Sequence, residues 1–179
     1  MPGMSSDRLI VGLDIASRTG IAEGVVGEAP MLYSQQFIQE DDDSPTIGFG
    51  RAVAFMATRL TKISPVAVVV EGVVPEHKLG GQTNFNASLI KPALYGALTG
   101  VARAKGIPVI AANIARVRTF LLGRQHGFKG DEAKRAILRK CQELGWDPPN
   151  MDASDAAAVW YWGCNDPKSG VFGLAQGLV

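Results

Sequence analysis

The sequence predicts an α/β fold, a mixed five-stranded sheet with helices on both faces, and three observations carry that reading. Two apolar runs, Leu9-Ile10-Val11-Gly12-Leu13 and Val66-Ala67-Val68-Val69-Val70, read as strands, and each ends on a carboxylate, Asp14 and Glu71. After residue 44, strand-like segments alternate with segments of helical period, giving the order βββαβαβα followed by further helices. Finally, 179 residues with 46% hydrophobic and 20% charged content describe one ordinary globular domain with its own core.

The elements follow in order. Strand 9–14 leads into a Ser17-Arg18-Thr19-Gly20 turn, then strands over 20–26 and 31–38 joined by Gly27-Glu28-Ala29-Pro30. An acidic tract, Glu40-Asp41-Asp42-Asp43, precedes Ser44-Pro45, which suits an N-cap and a first helical position. Phe49, Val53, Met56, Leu60 and Ile63 recur at helical spacing as one buried face, and Pro65 stops that helix. Strand 66–70 follows, then a loop over 72–84. A helix over 85–105 carries Leu89, Ala93, Ala97 and Val101 on one stripe, with Pro92 as a kink or as the true start. Gly106 ends it, 107–112 is the fifth strand and 116–122 a short helix. A basic glycine-containing loop over 123–130 leads to a helix that Asp131 caps and Gly145 stops. After Trp146-Asp147-Pro148-Pro149-Asn150 comes a last, alanine-rich helix. Residues 1–163 are read as the domain and 164–179 as a loosely ordered tail.

Composition excludes some classes of function. No apolar run reaches membrane-spanning length, and residues 1–8 lack a signal-peptide core. Cys141 and Cys164 form no CxxC pair, and no Cys/His cluster has zinc-ligand spacing, so two reduced thiols in a cytoplasmic protein is the expectation. The net charge of +1 is unevenly distributed. The first fifty residues are acidic, whereas the stretch from Arg103 to Lys140 is strongly basic, a surface able to meet phosphates.

The chemistry lies in four carboxylates. Asp14 and Glu71 terminate strands; Asp152 and Asp155, three apart, project from one face of the first turn of the last helix. Read alone, Asp152 is an N-cap and Asp155 a first-turn acid favoured by the helix dipole. Read together, the four supply the anionic oxygens that Mg²⁺ requires when it binds carboxylates and a phosphate.

The motifs resemble those of the RuvC-type Holliday-junction resolvases, which have an RNase H-like fold. Val11-Gly12-Leu13-Asp14-Ile15-Ala16-Ser17-Arg18-Thr19-Gly20 is similar to their first motif and Val68-Val69-Val70-Glu71 to their second. Ala87-Ser88-Leu89-Ile90-Lys91 through Tyr95-Gly96-Ala97 resembles the helix that follows. Arg116-Val117-Arg118, Gly123, Lys134 and Asp152-Ala153-Ser154-Asp155-Ala156 fall in the order of the rest. The resemblance spans most of residues 9–163. It implies a homodimer paired through helix 87–104 that makes symmetric nicks across a four-way junction, leaving 5′-phosphate and 3′-hydroxyl ends. It also implies two Mg²⁺ per site, replaceable by Mn²⁺, on Asp14, Glu71, Asp152 and Asp155, and DNA phosphates on Arg118 and Lys134. Arg116, Arg124, Lys129, His77 and Lys78 extend the expected DNA contact, and His126 is open to the same role.

The chain also departs from the family's pattern. Arg118 replaces the usual lysine, which changes the contact geometry, and the loop over 123–130 is longer than the family's compact glycine turn. No aromatic closely follows the Glu71 motif; the nearest is Phe85. A broader fork and flap nuclease, a YqgF-like nuclease acting on RNA, and a non-catalytic junction-binding protein therefore stand as alternatives. Trp160, Trp162 and Phe120 are read as packing residues, and Phe128 is open to base stacking at the basic loop. An actin-like or sugar-kinase ATPase needs two such domains to enclose its nucleotide.

Overall fold

The computed structural model describes residues 8–72, 85–123, 127–128 and 130–171, with the backbone alone for residues 85–88. Strands β1 (Leu9–Asp14), β2 (Arg18–Val25) and β3 (Met31–Gln36) form an antiparallel meander. Helix α1 (Pro45–Ile63) crosses to β4 (Ala67–Glu71), α2 (Phe85–Ala104) crosses to β5 (Val109–Ala112), and α3 (Ile114–Leu122), α4 (Gly130–Glu143) and α5 (Met151–Asn165) follow. The sheet order is β3-β2-β1-β4-β5, with β4 parallel to both β1 and β5. This is the predicted mixed five-stranded sheet, and each crossover helix covers a face because parallel neighbours cannot be joined by a hairpin.

Strand alternation sorts the core into two layers. Ile10, Ala22, Ala67 and Val69 face α3, α4 and α5, packing with Val117, Ile137 and the almost fully buried α5. Val11, Leu13, Ile21, Val68 and Val70 face α1 and α2, packing with Met56, Leu60, Leu94 and Leu98. Trp160 and Trp162 are buried in the α5 layer, as expected of packing residues.

Two glycines let α5 lie directly on the sheet. A Cβ on Gly12 would stand 2.6 Å from Trp160 Cβ and 2.8 Å from the Ala156 carbonyl oxygen. A Cβ on Gly20 would stand 1.8 Å from the Asp152 carbonyl oxygen, a contact no backbone tolerates. Gly20 pairs across the ladder with Asp14, so this contact seats the first turn of α5 beside the end of β1.

The expected face of α1 holds for Phe49, Met56, Leu60 and Ile63 but is corrected at Val53, and that of α2 is corrected by one position. On α1 the buried row is Gly48, Ala52, Met56 and Leu60, while Val53 is exposed. Gly48 is chosen by space: a Cβ there would stand 2.7 Å from the Phe37 carbonyl oxygen. On α2 the buried row is Leu94, Leu98 and Ala102, one position on from the expected stripe, and Leu89 is half exposed. Pro92 lies inside α2 rather than starting it. Ser44 caps α1 by accepting a bond from the Thr46 N–H, and α1 ends before a left-handed Ser64 and Pro65. The expected domain boundary at 163 falls within α5, which runs to Asn165; Cys164, Ser169 and Val171 are buried against the core.

Candidate active site

The parallel pairing of β1 with β4 sets Leu13 against Val70. One residue further, both strands end at the same sheet edge, on Asp14 and Glu71. Their parity is that of Gly12 and Val69, so both side chains rise on the α5 face. Asp155, on α5, is buried among them.

The three carboxyls act on one another. Burial pushes Asp14 well above the ordinary aspartate range, helped by a hydrogen bond to Glu71 and the charges of Glu71 and Asp155. Glu71 moves the other way: burial raises it, but the bond from Asp14 and the charges of Lys91 and Arg118 together hold it below its usual value. Asp14 and Glu71 are thus coupled, and the contact between them favours the proton on Asp14 and the charge on Glu71. Burial also raises Asp155, against the opposing charges of Lys134 and Arg118.

Cations surround this group. Lys91 Nζ lies 3.5 Å from Glu71 Oε2, and Lys134 Nζ lies 3.6 Å from Asp155 Oδ2. Arg118 adds its charge from α3, and its Nε is buried with no hydrogen-bond partner among the described residues. Asp155 Oδ1 is likewise buried and without a partner among them. An unpaired buried carboxylate oxygen is costly, and so is an unpaired guanidinium N–H. Together they form a donor set and a phosphate-binding group that a hard divalent cation and its anionic ligand would satisfy.

The structure does not gather all four expected ligands. Among the described residues no three His, Cys, Asp or Glu side chains converge closely enough to hold a metal ion. Glu71 pairs with Lys91 and Asp155 with Lys134. Asp152 is half-buried, and its carboxylate has no hydrogen-bond or ion-pair partner among the described residues. It is not the N-cap of α5, because Asn150 takes that role by accepting from the Ala153 N–H. That leaves the Asp152 side chain without a capping role.

The expected DNA-contact residues divide. Lys134 and Arg118 lie at the carboxyls. Arg116, two residues along α3 and so about 200° round the helix from Arg118, lines a different cavity. His77, Lys78, Arg124, His126 and Lys129 lie outside the described residues. Lys91 is the residue that sequence reasoning passed over as a site group. A single lysine in the otherwise uncharged first turns of α2, the element after the Glu71 strand, was the available signal. Phe120, expected in the core, is 39% exposed.

Fold and site together define an α/β protein of RNase H-like architecture with a carboxyl cluster at the ends of its two central strands. No family model matches the chain, and no curated protein matches it. Solved structures do. Thermus thermophilus RuvC in complex with a Holliday junction substrate superposes with a TM-score of 0.67 at 18% identity, covering 92% of this chain and 97% of that one. A second Thermus thermophilus RuvC structure gives 0.66 at 20% identity over 91% and 97%. The yeast mitochondrial Holliday junction resolvase Ydc2 gives 0.61 at 11% identity over 96% and 85%. The chain has the fold of these RuvC-type resolvases over almost its whole length.

Proposed function

We propose that this protein is a divalent-metal-dependent endonuclease for branched DNA, resolving four-way junctions by paired symmetric cuts that leave 5′-phosphate and 3′-hydroxyl ends. One observation carries the reading. Asp14, Glu71 and Asp155 are electrostatically coupled at one sheet edge, ringed by Lys91, Lys134 and Arg118, with an oxygen of Asp155 and a nitrogen of Arg118 both without a partner among the described residues.

Asp14, Glu71, Asp152 and Asp155 would hold two Mg²⁺, or Mn²⁺ in their place. The ions would supply an acidified water and a counter-charge for the leaving 3′ oxygen. The chain's own residues do the rest. Glu71 accepts the hydrogen bond from the Asp14 proton and so sets how many charges the cluster presents. Arg118 directs its N–H groups at a phosphate in a buried setting, where such bonds are strongest. Lys134 balances the charge of Asp155 and would contact the DNA backbone. Arg116, Arg124, Lys129, His77 and Lys78 extend the contact along the DNA.

Paired cuts require two sites. The outward face of α2 supports a homodimer through residues 87–104: Leu89 is 49% exposed, and with Phe49, Ile90 and Pro92 it lines an apolar cavity of about 520 Å³. A two-fold axis there would match the symmetry of a junction. No helix among the described residues is long and apolar enough to cross a membrane, and we assign the enzyme to the cytoplasm.

The test is cleavage of a labelled four-way junction, a fork and a linear duplex in Mg²⁺, Mn²⁺ or EDTA, beside Asp14→Asn. Symmetric junction nicks that vanish in EDTA and in the variant are the expected result. Equal cutting of the fork would move the reading to a general branched-DNA nuclease. Tight binding without nicks under either metal would replace it with a DNA-binding protein.

A further inference from the structure

Helix α3 has a second working face. Arg118 points to the carboxyls, while Arg116, Thr119, Phe120 and Gly123 line a cavity of about 510 Å³ that Asp166 and Lys168 close from beyond α5. This volume is within the range of sites that hold one small ligand.

Its chemistry is specific. Neither the Arg116 guanidinium nor the Lys168 ammonium has a hydrogen-bond or ion-pair partner among the described residues. Asp166, the acid in the wall, is fully engaged: one oxygen accepts from Trp162 Nε1 at 2.8 Å, the other from the Lys168 N–H at 2.9 Å. It therefore fixes the Lys168 turn rather than pairing with either cation. The aromatic wall is fixed as well. Phe120 packs on Tyr161 with centroids 5.9 Å apart, Tyr161 on Trp146 at 5.5 Å, and Trp146 on the buried Trp160 at 5.8 Å. An exposed ring braced by a chain of rings into the core loses little entropy when a planar group stacks on it.

Two free cations, a hydroxyl and a braced aromatic edge match a phosphodiester with an adjacent unstacked base. We infer that this cavity is a second DNA site, separate from the carboxyl cluster, holding one phosphate on Arg116 and Lys168 and the neighbouring unpaired base on Phe120. The inference rests on the branched-DNA reading, since only strands near a branch or an end offer unstacked bases. It gives α3 the role of a rail between two contacts on one bound substrate, Arg118 at the cleavage site and Arg116 at the unpaired strand.

The experiment is binding in EDTA, across a salt series, of a junction with a short unpaired segment and of a fully paired linear duplex. Wild type, Arg116→Ala/Lys168→Ala, Phe120→Ala and Phe120→Trp are compared. The double variant should bind the junction roughly tenfold more weakly, with a salt slope smaller by about 1 to 2. Phe120→Ala should lose at least about fivefold on the unpaired substrate, with no change on duplex and recovery in Phe120→Trp. A 5-iododeoxyuridine in the unpaired segment should photocrosslink to the tryptic peptide 119–124, and millimolar thymidine 5′-phosphate should not compete. An unchanged slope in the double variant, with wild type binding normally, overturns this inference alone. So does protection by the mononucleotide without any DNA crosslink, which would make the cavity a nucleotide site. Failure of the wild type to bind DNA overturns the functional reading and this inference with it.

Discussion

The sheet buries carboxylates on both faces and treats them in opposite ways. On the α1 side, Glu23 of β2 is held by Arg59 through Nε at 2.8 Å and through the terminal guanidinium nitrogen, and it accepts a bond from the Tyr33 hydroxyl at 2.6 Å. On the α5 side, burial raises Asp14 well above the ordinary aspartate range, Asp155 has an oxygen without a partner among the described residues, and the nearest ammoniums stand 3.5 and 3.6 Å away. A buried charge needs a partner and full hydrogen bonding to be tolerated. Glu23 has both and serves to tie α1 to the meander. The α5 cluster has neither in full, so its cost points to a ligand that completes it. The same chemical group, on one sheet, is satisfied on one face and left short on the other.

The comparison can be broken by substitution. Asp14→Asn should reduce junction cleavage by about 1,000-fold or more, equivalent to roughly 4 kcal/mol of barrier. Single-turnover assays in Mg²⁺ measure it. The corresponding change on the other face, Glu23→Gln, should cost about 3 kcal/mol of stability by leaving Arg59 without its counter-charge. It should leave the metal response intact, read by urea denaturation with and without Mn²⁺.

The two faces also differ in pH response. Asp14 has a raised folded pKa, so its folded form binds its proton more tightly than the unfolded chain does. Its contribution to stability is present below the ordinary aspartate pKa, about 3.9, and is lost as pH rises through the folded value. Without metal, Asp14→Asn should therefore gain on wild type as pH climbs from about 4 toward 7, melting a few degrees higher at the upper end. Paired melts in EDTA across that window test the sign. Lys134→Ala should have a smaller effect, about tenfold on cleavage, because it removes one phosphate contact and one counter-charge. The smallest effect is expected at Val53→Lys on the exposed side of α1, within about 0.5 kcal/mol.

The two layers differed in how readable they were. β1 and β4 were legible because a long apolar run marks a buried strand, and a buried strand rarely ends on an acid unless a cation or partner holds it. Three-residue spacing puts Asp152 and Asp155 on one side of α5, yet only Asp155 is buried beside the carboxyls of β1 and β4. Val53 of α1 and the stripe of α2 fall differently from expectation because hydrophobicity ranks large side chains first. At Gly48 and Ala52 the deciding property is the absence of bulk, and Gly48 sits against Phe37. Helix α2 offers two apolar stripes side by side, of which Leu94, Leu98 and Ala102 turn to the sheet. The Glu23–Arg59 pair joins residues 36 apart on different elements, which no local pattern reports. Lys91 and the Arg116 cavity depend on helix phase relative to the sheet, and that phase is set by packing.

The central claim is that the under-satisfied face is a cation site and the satisfied face is not. Thermal melts with and without Mn²⁺ test it directly, on wild type, Asp14→Asn, Glu71→Gln and Glu23→Gln. A Mn²⁺-induced rise in melting temperature for wild type and Glu23→Gln, absent in Asp14→Asn and Glu71→Gln, is the predicted result. No rise in wild type, or an equal rise in all four proteins, would contradict the account.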